Sequence, residues 1–123
     1  MNHKTYIIAE IGINHEGDVD TCRRMVTAAA ECGVDAVKLQ TINADENYVK
    51  GTESYNIFKG AELTREETHE AFEFAQGLGL DIFTTAGDVE TIDWVDQLNP
   101  SHWKVSSGLL THTPIIEYLA SLK

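Results

Sequence analysis

The chain has 123 residues, enough for one domain built on one core. Its formal net charge of −11 argues against nucleic acid and anionic membrane surfaces as partners, yet leaves room for a phosphate-bearing ligand held by a few local lysines. No apolar run approaches the ~18–20 residues of a membrane span. The start, MNHKTYIIAE, has an apolar run too short for a signal peptide and broken by Glu10, so a cytoplasmic protein is expected.

In chain order, residues 6–10 are expected to form the first strand. It empties into Glu10, and a carboxylate at the end of a buried apolar run is costly unless paired or hydrogen-bonded. A polar, turn-rich segment follows: Asn14, His15, Glu16 and Gly17. Asp18 caps a helix with Val19, Cys22, Met25, Val26, Ala29 and Ala30 at helical spacing, and Gly33 stops it. Cys22 and Cys32 fall on different faces of that helix, which predicts two reduced thiols. No Cys/His spacing near them suits zinc.

A second strand is expected over 35–41. Val37 and Leu39 point one way along it, and Ala36, Lys38 and Gln40 the other, so one face looks into something polar. Residues 43–62 are longer than an ordinary βα connection and suggest a lid, a binding loop or a surface excursion, with a short helix around 54–58. Thr64 and Glu67 form a capping box for the next helix. Its buried stripe is Phe72, Ala75 and Leu78, and Gly77 and Gly79 end it. A third strand follows over 80–85. Asp88 caps a helix reaching Leu98, with Val89, Ile92 and Val95 inward, and Asn99-Pro100 breaks the chain. A fourth strand is expected over 102–106. Thr113 then caps the last helix, with Pro114 in its first turn.

Regular βα alternation predicts an α/β fold with a parallel sheet and right-handed crossovers. Two architectures fit this, a small doubly wound sheet and half of an eight-stranded barrel. The turn after the first strand, GINHEG, is not the G-x-G-x-x-G of a dinucleotide site, which removes support from the former. Polar residues at every strand end favour the latter. A closed barrel takes about 200 residues or more. The fold expected is therefore four βα units forming the N-terminal half of a TIM (βα)8 barrel.

The strand ends carry the candidate chemistry. Glu10 is a possible acid/base if burial raises its pKa, or a salt-bridge partner of Lys38 on the neighbouring strand. His15 reads as a hydrogen-bond donor that orders its loop rather than as a metal ligand. Lys38, inward on a strand, suits a ligand carboxylate or phosphate, with Gln40 beside it. One hydroxyl of Thr84 and Thr85 is placed to meet an anion. Lys104, Ser106, Ser107 and Gly108 make a plausible phosphate cradle. His112 reads as a capping or surface residue.

AEIGINHEG at 9–17, AVKLQT at 36–41, FTT at 83–85 and KVSSG at 104–108 together resemble the N-terminal catalytic barrel domain of the sialic acid (N-acetylneuraminate) synthase family. The resemblance covers essentially the whole chain but about half of that family's barrel. It implies condensation of phosphoenolpyruvate with an N-acyl hexosamine, typically N-acetylmannosamine, with release of phosphate in carbohydrate biosynthesis. It also implies a divalent metal, manganese or magnesium, that polarises the open-chain aldehyde. Lys104, Ser107 and Thr85 would hold the phosphate of phosphoenolpyruvate, Lys38 would lie near its carboxylate, Glu10 beside the reacting carbons, and Gln40 would face the sugar. The family's metal-binding histidines lie in the second half of the barrel, so no metal ligand is assigned here. The C-terminal antifreeze-like domain is likewise expected to be absent. Leu109 stands where many relatives carry a glutamate. The alternatives are another phosphoenolpyruvate-dependent synthase or aldolase on the same barrel, and a non-catalytic half-barrel that binds anions or pairs with itself into a homo-oligomer.

Overall fold

Three parallel strands, β1 (Ile8–Gly12), β2 (Ala36–Gln40) and β3 (Asp81–Thr85), lie side by side in that order in the computed structural model, which describes residues 4–122. Helices occupy the connections: α1 (Val19–Glu31) after β1, α2 (Ala44–Asn47), α3 (Glu53–Gly60) and α4 (Arg65–Gly77) after β2, and α5 (Val89–Asp96) after β3. A 3-10 turn (Ser107–Leu109) and α6 (Thr113–Ser121) follow. The expected α/β organisation with a parallel sheet is present. No helix among the described residues is long and apolar enough to cross a membrane.

β1 sits two residues further along than expected. The β1–β2 register slips between Glu10 and Gly12, and Gly12 takes φ +60°, a left-handed conformation glycine adopts at no steric cost. The glycine read as loop punctuation therefore extends the strand. The expected fourth strand is not formed. Ser101 N–H and its hydroxyl both reach the Ile82 carbonyl, but only Trp103 then pairs, opposite Thr84. Beyond it Lys104 Nζ turns to the Val105 carbonyl at 2.9 Å. The Trp103 side chain anchors this segment instead, packing against both apolar clusters of the protein.

Val37, Leu39 and Ile82 face α1 and α4 and join Cys22, Val26, Phe72, Ala75 and Val95 in the main core. A smaller cluster of Ala86, Ile92 and Ile115 seats α6. Two residues assigned inward are exposed, Leu78 and Val89. Leu78 is the C-cap of α4 and Val89 the first residue of α5, so neither has a full turn to fix it against the core. Cys22 is buried and Cys32 exposed, both as free thiols, in line with their separate faces. Burial pushes the Cys22 thiol up to about 11, which leaves it unreactive.

Local chemistry sets the helix ends. Asp18 accepts from Thr21 N–H and Asp88 from Thr91 N–H, as N-caps. The capping box of α4 is complete in both directions, Glu67 N–H to Thr64 Oγ1 and Thr64 N–H to Glu67 Oε2. Thr64→Ala is expected to lower stability by about 1 kcal/mol, read from urea melts, with Thr64→Ser close to wild type. At α6 the cap is His112, not Thr113: His112 Nδ1 accepts from Ile115 N–H, and Pro114 falls inside the first turn, where its missing N–H costs nothing.

The 43–62 excursion holds two helices where one was expected. Asp45 gathers it: its carboxylate accepts from Lys59 and Tyr55 and pairs with Lys50, and those hydrogen bonds hold its carboxyl down at about 2. Tyr48 stacks on Phe58 at 4.7 Å between ring centroids. The excursion also touches the turn after β1. Gly17 has φ +76°, and a Cβ on it would meet the Gly60 carbonyl oxygen at 2.7 Å. Gly17→Ala should therefore destabilise by more than Gly33→Ala, which is also left-handed (φ +75°) but faces open space; paired thermal melts measure the difference.

Candidate active site

Register brings the polar residues of the three strands together. Glu10 pairs with Lys38 across β1–β2, and Gln40 with Thr85 across β2–β3. The Lys38 side chain is only 12% exposed. Its Nζ lies 2.9 Å from a Glu10 oxygen and 3.4 Å from Thr85 Oγ1. The oxygens of Glu10 and Gln40 both face Gly12, whose missing side chain makes their approach possible. The result is one ammonium, one carboxylate, one amide and one hydroxyl on the sheet face opposite the main core.

Of the two readings of Glu10, the structure shows the ion pair with Lys38; its side chain is 53% exposed, so it is no costly buried carboxylate. Thr84 and Thr85 divide their work. Thr84 is fully buried on the helix side, where its hydroxyl meets Thr41 N–H and Thr41 Oγ1, each at 2.9 Å. Thr85 is the hydroxyl beside Lys38. Thr41 was not singled out in the sequence; a threonine at the end of a strand carries no signal of a cross-strand brace. Among the described residues no hydrogen bond or ion pair joins Lys104 or Ser107 to Lys38, Glu10 or Thr85.

His15 is buried, at 2% exposed, in a turn that reads as polar surface. Its Nδ1 accepts from Gly17 N–H at 3.2 Å, so it orders the loop as an acceptor, the reverse of the donor role expected. Burial, opposed by the nearby charges of Asp18 and Glu67, moves its pKa below the ordinary value. A depressed histidine pKa means that the unfolded chain takes up the proton first. The stability linked to His15 is complete above the unfolded pKa of about 6.5 and is lost as pH falls from there to the folded value. Urea midpoints should therefore fall between pH 7.5 and 5, and His15→Gln should flatten that slope.

The sequence pattern of the NeuB family matches residues 25–123. The chain belongs to the NeuB family. It is 38% identical over 94% of its length to an uncharacterized protein of Methanocaldococcus jannaschii, covering 34% of that protein. It is 34% identical over 96% of its length to the N,N'-diacetyllegionaminic acid synthase of Legionella pneumophila, covering 37%. The crystal structure of an N-acetylneuraminic acid synthetase from Leptospira borgpetersenii superposes with a TM-score of 0.92 at 29% identity, over 98% of this chain and 42% of that one. This NeuB-family chain thus spans about a third of the length of the curated relatives it matches, which include synthases of sialic and legionaminic acids.

Proposed function

We propose that the chain contributes the phosphoenolpyruvate-binding part of a nonulosonic acid synthase. In this reading it is the N-terminal half of a TIM barrel in a cytoplasmic enzyme, and Lys38, Glu10, Gln40 and Thr85 line the interior. The observation that carries it is the shielded Lys38 ammonium, shared between Glu10 and Thr85 across three parallel strands, in a NeuB-family chain. Lys38 would neutralise the carboxylate of phosphoenolpyruvate and Thr85 would donate to its phosphate. Glu10 would lie beside the enol carbon as it bonds to the aldehyde carbon of N-acetylmannosamine or a related N-acyl hexosamine. Gln40 would contact the sugar. Lys104 and Ser107 would join the phosphate site when the segment after Trp103 closes on Lys38.

The divalent metal, manganese or magnesium, that the resemblance implies does not fit the residues at hand. Among the described residues no three His, Cys, Asp or Glu side chains stand together, so no step is assigned to a metal. Turnover would then need the remaining length found in the relatives. A chimaera in which this chain replaces the matching segment of the Legionella synthase tests the reading. It should release phosphate from phosphoenolpyruvate in the presence of an N-acyl hexosamine and manganese. A folded chimaera that releases none, or that prefers an aldehyde without an acyl group, would overturn it.

A second reading rests on β1 and the residues before it: Tyr6, Ile7 and Ile8 are exposed, and one edge of β1 has no partner among the described residues. Such an edge templates pairing with another chain. A homo-oligomer would appear in sedimentation velocity as a mass that rises with concentration.

A further inference from the structure

Behind β2, on the face opposite Lys38, a cavity of about 200 Å³ lies between the strand end and the starts of α4 and α5. His15, Leu39, Ile42, Leu63, Thr68 and Trp94 are on its wall. Its charged groups are already matched. Arg65 pairs with Glu90 at 2.6 Å and lies over the Trp94 ring, while Glu62 pairs with Lys59 at 2.8 Å. Two buried neutral polar side chains are not matched. His15 Nδ1 accepts from Gly17 N–H, so the neutral ring carries its proton on Nε2. Neither Nε2 nor the Thr68 hydroxyl has a hydrogen bond among the described residues, although both residues are 2% exposed. No fully enclosed side-chain N or O of the described residues lacks a partner, so these two atoms keep surface, and both residues line the cavity.

We infer that this cavity, which borders the Lys38 face at Gln40, is a second ligand site that takes a small uncharged carboxamide. The carbonyl oxygen accepts from His15 Nε2–H, the amide N–H donates to Thr68 Oγ1, and an apolar substituent lies on Ile42, Leu63 and Trp94. A buried donor and a buried acceptor beside Leu39, Ile42 and Leu63 match an amide, and the charged groups of the wall, being paired already, offer an ion no free counter-charge. The volume is below the roughly 300–1,000 Å³ of drug-sized pockets, which limits the occupant to a small molecule or to the amide end of a larger one. Burial, by keeping His15 uncharged, supports the same choice.

The test is a titration of the 15N-labelled chain with N-methylacetamide, and with acetate and methylammonium as charged controls of similar size. The amide should give saturable shifts at the Gly17 N–H and the Trp94 indole, and the controls should not. Thr68→Val, close in shape and removed from the Gly17 brace, should weaken binding at least fivefold, and His15→Phe should abolish it. If His15→Phe unfolds, Thr68→Val alone decides. Equal shifts with acetate, unchanged affinity in Thr68→Val, or no saturable shift at Gly17 and Trp94 would each overturn the site.

Discussion

Replacing Lys38 by methionine is expected to weaken phosphoenolpyruvate binding about 10–100-fold, the equivalent of the ~1.5–3 kcal/mol of a hydrogen bond to a charged group. Methionine keeps the length of the side chain and removes only the ammonium. The fold should survive, because Glu10, the partner left behind, is half in solvent and stays hydrated. Glu10→Gln should do the opposite to a bound anion. It removes the carboxylate that now neutralises Lys38, so phosphoenolpyruvate should bind as well as or better than in wild type, while synthase turnover in the chimaera falls. Opposite signs at two residues 2.9 Å apart distinguish a ligand-binding lysine from a structural ion pair, for which both changes would act alike. Affinity should also fall as salt rises, since the contact is ionic and partly screened.

The largest effect on stability is expected at Phe72. Its side chain is fully buried in α4 at the centre of the main cluster. Phe72→Ala removes a ring from a close-packed site and should cost ~3–5 kcal/mol. Domains of this kind hold about 5–15 kcal/mol in total, so the variant should lose a large part of its cooperative transition. Phe74, two residues on, is only partly buried and carries Arg23 at 4.8 Å over its ring. Phe74→Ala should cost clearly less. Urea unfolding followed by circular dichroism separates the two, and similar midpoints would argue against the packing described.

Local signals made much of the fold legible. The caps at Asp18, Thr64 and Asp88 work through hydrogen bonds spanning three residues, so the sequence carries them whole. The alternation in β2 placed Val37 and Leu39 in the core and Lys38 and Gln40 on the polar face, because side chains alternate along any strand. What was not legible depends on distant partners. The segment 102–106 has strand-like residues, but a strand needs a ladder, and Trp103 alone pairs. His112 reads as a capping or surface residue, and that it and not Thr113 caps α6 depends on ring geometry that a residue-type preference does not encode. Glu10 read as buried because an apolar run precedes it, yet β1 is at the sheet edge, and edge position is a property of the assembled sheet. His15 shows the converse: within a polar turn whose Asn14 and Glu16 are exposed, it is buried, and the 43–62 excursion packs against that turn, as the close approach of Gly60 to Gly17 records.

The central claim is that the polar face of β1–β3 binds phosphoenolpyruvate through Lys38. The most direct measurement is a 1H–15N titration of the chain with phosphoenolpyruvate. Saturable shifts centred on Glu10, Lys38, Gln40 and Thr85, lost in Lys38→Met, are the predicted result. Saturation centred elsewhere, or an unchanged response in Lys38→Met, would contradict it.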